Sequence, residues 1–368
     1  MSSIVKSDNS DLTINADGSG KEVKIQRDGT EVLATSSTGV DITGSVSDTD
    51  GNVRSGRKNL IINGGFDVWQ RGTSITSSGA YNADRWHSSH GASLTTSRQT
   101  FTVGQTDVPN NPKYYQRTDG TGLSSSQSFE IRHHIEGVET AANQQVTLSF
   151  YAKSSVTATH ENMFWQRFDN WSDFQTGIGS SNFTTTTSWQ RFTRTFTLAD
   201  ISGETVVAGT NTLTFVIDGE AGFTGTFDLA QVQLEVGSVA TDFEHRSYGE
   251  ELALCQRYYQ KSFLPGVTPT QGASTTSWAT GIGIEGAAVF ESHNGSDIAY
   301  FKFPVRMRTN PTMGRYGNSQ GYAYCFSGGG FHVNSGGLTG YADGFRLRQQ
   351  RTTAYAYVQV HWTADAEL

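Results

Sequence analysis

The sequence predicts an all-β protein with one short helix, and three observations carry that prediction. Glycine is abundant, 41 of 368 residues, while proline is rare at 6 and charged residues make up only 17%. Such a composition suits many short strands joined by glycine turns. Apolar and polar residues alternate in short runs, whereas only residues 247–262 space their apolar positions at three and four. On these patterns the chain divides into residues 1–58, 59–246, 247–262 and 263–368.

Residues 1–58 are polar. Leu12-Thr13-Ile14 precedes Asp17-Gly18, Val23-Lys24-Ile25 precedes Asp28-Gly29, and Val32-Leu33-Ala34 precedes Thr38-Gly39. Strand plus turn repeats here every ten or eleven residues. Each unit holds too few apolar side chains to bury a core within one chain. The region is therefore either a flexible linker or an intertwined β-prism stalk in which three chains pool their apolar positions. The second reading predicts a homotrimer. Asp48-Thr49-Asp50-Gly51-Asn52 lacks the later Glu of a calcium loop, and with Arg54-Ser55-Gly56-Arg57-Lys58 it reads as a linker.

Residues 59–246 read as a β-sandwich. Leu60-Ile61-Ile62 stands before the Asn63-Gly64-Gly65 break, and Phe66, Val68 and Gln70 then alternate with Asp67 and Trp69. That pattern predicts a strand, a glycine bend and a second strand. Thr226–Val236 alternates in the same way roughly 160 residues later and could close the same sheet. Further strands are expected at 85–87, 93–103, 113–118, 128–135, 145–153, 162–169, 189–198 and 211–218. The opening N-G-G-F and closing F-D-L-x-x-V-x-L-E strands resemble the two ends of a carbohydrate-binding module of the jelly-roll kind. N-G-G-F-D-V-W-Q-R-G, with Tyr81-Asn82-Ala83-Asp84-Arg85-Trp86, resembles the version carried by bacteriophage tail-fibre proteins. L-S-F-Y-A-K, S-W-Q-R-F-T-R-T-F and L-T-F-V-I-D follow in the order of such modules. The resemblance implies a structural Ca²⁺ between the end strands, with Asp67 and Asp228 as the matching carboxylates. It also implies a virion location, with residues 1–58 attaching to other tail or capsid proteins.

Residues 247–262 are the expected helix. Ser247 and Glu250 have capping-box spacing, and Glu250, Glu251 and Lys261 suit the helix dipole. Leu252, Cys255 and Tyr259 form one stripe, with Leu254 and Tyr258 on a second. Two stripes predict a helix on the trimer axis; packing between two β regions is the alternative. S-Y-G-E-E-L-A-L-C-Q-R-Y-Y resembles phage fibre sequences.

Residues 263–368 return to strands, expected at 276–290, 298–305, 312–316, 321–326, 331–333, 344–349 and 353–362. F-P-V-R-M-R-x-x-P and the closing H-W-T-A-D-A-E-L resemble the distal tips of phage fibres, which implies a β-sandwich-like receptor-binding domain.

The candidate site residues are aromatic. A pyranose presents an apolar C–H face that stacks on Trp or Tyr, and its hydroxyls pair with polar side chains at the rim. Trp165 and Trp171 lie in a segment with five aromatics, and Tyr114-Tyr115 follows Asn111-Pro112. Each pair either faces a sugar or packs away from it, in the case of Trp165 and Trp171 in the sandwich core or between subunits. Trp69 and Trp86 are assigned to the core. In the distal region Tyr316, Tyr322, Tyr324, His332 and Tyr341 lie around glycine turns, where recognition loops are normally carried; the trimer core is the competing assignment.

Other function classes fit poorly. Lys and Arg, 27 in all, are outnumbered by 35 Asp and Glu, giving a net charge of -8, so a nucleic-acid partner is not expected. Two cysteines make no disulfide framework or zinc spacing. No run approaches the roughly 20 apolar residues of a bilayer span, and the first residues have no signal-peptide h-region. Synthesis in a host cytoplasm and release with a virion is therefore the expected route. H-E-x-x-H and P-loop motifs do not occur. His133 and His134, adjacent in a strand, point to opposite faces. The reading is non-catalytic adsorption to host-surface polysaccharide or lipopolysaccharide. A structural head or tail decoration fibre and a tailspike depolymerase are its rivals.

Overall fold

The computed structural model describes residues 58–90, 94–169, 174–270, 296–316, 336–350 and 357–368, together with the backbone of several further strands. The chain forms two compact units, Met1–Arg57 and Lys58–Leu368. In the first, β1 (Lys24–Arg27), β2 (Thr30–Ser36) and β3 (Gly39–Asp41) make a three-stranded antiparallel meander. Lys24-Ile25 and Val32-Leu33-Ala34 of the repeat thus lie in paired strands, whereas Leu12-Thr13-Ile14 lies outside the described residues.

The second unit begins with a two-sheet sandwich. Its strands are β4 (Ser74–Ile75), β5 (Ala80–Tyr81), β6 (Trp86–His90), β7 (Thr95–Thr100), β8 (Tyr114–Asp119), β9 (Phe129–Glu136), β10 (Gln145–Ser154), β11 (Ala158–Arg167), β12 (Phe174–Thr185), β13 (Gln190–Thr197), β14 (Thr212–Asp218) and β15 (Thr226–Val236). One sheet runs β13-β10-β15-β8-β7-β4 and the other β12-β11-β14-β9-β6-β5. From β8 to β15 the chain passes repeatedly between the sheets, as a jelly roll does. Alternation decides which face is buried: Val146, Leu148, Phe150 and Ala152 of β10 meet Phe164 of β11 and Leu213, Phe215 and Ile217 of β14 in one apolar core.

The opening segment departs from the expected pair of strands. Residues 59–72 form turns and irregular chain, with Asn63 and Phe66 at positive φ. They still reach the closing strand: Leu60 N donates to Leu234 O (2.8 Å) and Val232 N to Gly64 O (3.0 Å). A Cβ on Gly64 would lie 2.1 Å from the Val232 carbonyl oxygen, so only glycine permits this approach. At that point β15 bulges, with Gln231 at φ 48. The extra residue brings Val232 and Leu234 onto the same buried face as Phe227 and Leu229.

The helix α1 (Tyr248–Gln256) is shorter than the 247–262 stretch predicts. Ser247 caps it by accepting from Glu250 N (3.3 Å). The chain turns after Arg257, and Tyr259 lies in β16 (Tyr259–Lys261) instead. Cys255 is fully buried within this chain and Tyr259 nearly so, while Leu252 is half-buried. Two of the three residues assigned to a trimer axis therefore pack inside one chain.

β16 opens a sheet of order β16-β24-β20-β21, to whose β24 β17 and β19 also pair. Its other strands are β17 (Ala288–Glu291), β19 (Thr312–Tyr316), β20 (Ala323–Ser327), β21 (Gly330–Asn334) and β24 (Tyr357–Asp365). β18 (Ser296–Lys302), β22 (Gly336–Tyr341) and β23 (Gly344–Gln350) form another sheet. Phe303, Met307, Phe345, Leu347, Ala364 and Ala366 make the distal core.

A buried ionic joint ties this region to the sandwich. The Arg85 guanidinium, 0% exposed, contacts Glu367 and stacks on the Tyr258 ring at 3.5 Å. Arg71 reaches Asp365 (3.1 Å), Glu367 (3.3 Å) and Asp84 (3.7 Å) and lies 3.6 Å from the Tyr259 ring centre. The polar letters of W-Q-R-G and N-A-D-R-W are thus structural. Trp86 is core, tilted against Phe66 at 4.9 Å.

Candidate functional site

At one end of the sandwich, β7 and β8 run past the opening segment and the start of α1. Gln116 and Thr118 of β8 are buried, and Tyr114 lies on the same face of the strand, two residues nearer the end. Arg98 pairs with Gln116 across the ladder. Here Asp67, Trp69, Arg98, Lys113, Tyr114, Tyr248, Pro265 and Gly266 enclose a cavity of about 360 Å³. A hollow of about 150 Å³ adjoins it, sharing Asp67 and Lys113 and adding Asn110, Asn111, Phe243 and His245. Together they make a groove with one carboxyl near its middle.

Each wall has a local cause. Trp69 is 2% exposed and fixed by Nε1 donating to Phe66 O (2.8 Å). Gly266, at φ 76, donates its N–H to Trp69 O (3.1 Å), which holds the Pro265-Gly266 turn over the tryptophan. Tyr248, at the first turn of α1, is 49% exposed and forms part of the rim. The Arg98 guanidinium carbon lies 4.4 Å and the Lys113 ammonium 4.9 Å from the Tyr114 ring centre. Burial pushes the Asp67 carboxyl up to about 6; Glu251 adds to the shift and Lys113 opposes it. Below that value Asp67 can donate a hydrogen bond as well as accept one.

The other predicted residues are dispersed. Tyr115 turns to the outer face of its sheet, edge-on to Trp189 (5.3 Å) and 4.7 Å from Phe101. Trp165 is half-buried on the opposite sheet, with the Arg132 guanidinium 4.6 Å from its ring. Tyr316 packs edge-on to Phe263 (5.2 Å), and Tyr341 lies 6.1 Å from Tyr300. Tyr324 and His332 belong to the paired strands β20 and β21. Trp171 and Tyr322 lie outside the described residues, as does Gly317-Asn318-Ser319-Gln320-Gly321, which has the letters of a nucleophile elbow. Of the aromatic candidates among the described residues, Tyr114 alone lines the cavity. Sequence reasoning missed Arg98, Lys113 and Tyr248 as site residues and gave Trp69 to the core, where most of its surface indeed lies.

Asp67 and Asp228 do not fit a shared Ca²⁺ site. Asp228 accepts from Arg117 Nε (2.7 Å) and Nη2 (2.8 Å), with Lys153 at 3.8 Å, so both oxygens already face cations. Oxygens do converge elsewhere in the opening segment, and a side chain meets them. Arg246 donates to Ile61 O (3.1 Å) and Asn59 O and pairs with Glu244 and Glu251 (3.4 Å each). Among the described residues no group of three or more His, Cys, Asp or Glu could hold a metal ion.

No protein-family model and no curated protein matches this chain. Solved structures are similar over part of it. The CBM22-1 xylan-binding domain of Paenibacillus barcinonensis Xyn10C is 13% identical, covering 46% of this chain and 94% of that one at a TM-score of 0.30. The family 11 carbohydrate-binding module from Clostridium thermocellum, in complex with a mixed-linked tetrasaccharide, is 12% identical, covering 46% and 99% at 0.30. The enzymatically active domain of bacteriophage CBA120 tailspike protein 4 is 10% identical, covering 45% and 22% at 0.32.

Proposed function

We propose that this protein binds glycan without catalysis, as a fibre that adsorbs a bacteriophage to host-surface polysaccharide or lipopolysaccharide. The observation that carries the glycan reading is the cavity itself. Tyr114, Tyr248 and Trp69 supply aromatic surface, and Asp67, Arg98 and Lys113 supply donors and an acceptor beside it. That combination suits a ring with one apolar face and a hydroxyl edge. A single carboxyl lines the cavity, whereas glycoside hydrolysis generally uses a pair. The phage setting is supported by the N-G-G-F-D-V-W-Q-R-G stretch and by the strand-turn repeats before it.

Titration calorimetry against host polysaccharide tests the site. Tyr114→Ala is expected to weaken binding about 3- to 10-fold and Trp165→Ala to leave it unchanged; the reverse result moves the site to the opposite sheet. Reducing sugar released from the same polysaccharide would instead identify a depolymerase. Absence of any glycan binding would leave a structural decoration fibre.

Assembly follows from where apolar side chains are already covered. Because α1 packs within its own chain, trimerisation falls to residues 1–57. Light scattering is expected to give a trimer for the whole chain and a monomer for Lys58–Leu368. A trimer from the shorter piece would return the helix region to the axis.

A further inference from the structure

Six described arginines of the second unit are neutralised by the chain itself. Arg71, Arg85, Arg117, Arg132, Arg246 and Arg257 each contact a carboxylate. Arg98 and Lys113 are different. Among the described residues neither forms an ion pair, and both sit over one ring, Tyr114, at the wall of the same cavity. A chain of net charge -8 thus leaves two cations over one ring at the wall of this cavity. A guanidinium and an ammonium gathered at one aromatic ring match a sugar that bears an anionic substituent.

We infer that this cavity takes an acidic sugar, whose carboxylate or phosphate is held by Arg98 and Lys113 beside Tyr114. The inference rests on the glycan-binding reading and narrows it to a ligand class. Asp67 is the one group lining the cavity that would repel such a ligand. Facing it are Arg98, Lys113, Tyr114 and Tyr248 around the cavity, Glu251 from α1, and His245 in the adjoining hollow. Its carboxyl is pushed up to about 6, so the repulsion disappears as pH falls through that value. A sugar carboxylate stays ionised to roughly pH 4. Burial holds His245 below the ordinary histidine value, so its charge arrives later in the same descent.

The test is a titration of the full-length protein with a hexuronate oligosaccharide, its carboxyl-reduced neutral twin, and native and dephosphorylated lipopolysaccharide core. An array of neutral and acidic host glycans accompanies it. The acidic ligand is expected to bind at least about 10-fold better than its twin. Arg98→Ala and Lys113→Gln should each weaken it about 10- to 100-fold. Lys113 is exposed, so its substitution tests the site without a folding penalty. Affinity should rise between about pH 7 and pH 5, and Asp67→Asn should flatten that rise. Preference for the phosphorylated core alone would make phosphate the recognised anion. Equal binding of the twins, unaffected by Lys113→Gln, would overturn the inference while glycan binding stands. Failure of every array glycan would overturn the glycan reading and the inference with it.

Discussion

Replacing Glu367 with alanine is expected to cost about 3–5 kcal/mol of stability, because it removes one partner of a buried ion pair and leaves the other behind. The Arg85 side chain is 0% exposed and that of Glu367 4%. Without the carboxylate, Arg85 keeps only the Tyr258 ring and the His134 carbonyl as partners. Arg71 loses one of its three carboxylates. Water cannot enter to compensate without opening the joint between the sandwich and the distal sheets. Urea unfolding should show a lower midpoint, with circular dichroism of the folded state unchanged. Glu367→Gln keeps the shape and some hydrogen bonding, so its loss should be smaller. Equal midpoints for wild type and Glu367→Ala would show that the joint contributes nothing.

The second large effect is expected at Arg246. Its side chain is 4% exposed and contacts two backbone carbonyls and two carboxylates. Arg246→Ala leaves those acceptors facing one another without a cation, a loss of about 3–5 kcal/mol on the same grounds. A chelator added to the wild-type protein should leave its thermal midpoint where it was. A midpoint that falls with chelator and recovers with Ca²⁺ would show that a metal also holds this region.

The sandwich was largely legible in the chain. Nine of its strands stand where alternation places them, since one buried face per strand writes a period of two. β12 was not legible: Phe174–Thr185 reads F-Q-T-G-I-G-S-S-N-F-T-T, with too few apolar residues to mark a face. The helix was read too long for a specific reason. Tyr258 and Tyr259 continue the three-and-four spacing of Leu252 and Cys255, but their rings lie against Arg85 and Arg71. A cation on a distant segment leaves no periodic mark. As a sugar contact the cavity was legible only at Tyr114, for a related reason. Its walls come from the opening segment, β7, β8, the start of α1 and the turn after β16. No local pattern records which of five separated stretches will meet.

The positive charge at Arg246 is covalently part of the polypeptide that needs it. A bound ion would have to be captured from solution and could be lost to any competing chelator; this one arrives with the fold and stays at unit stoichiometry. A clasp made of side chain holds the opening segment whatever the local mineral supply.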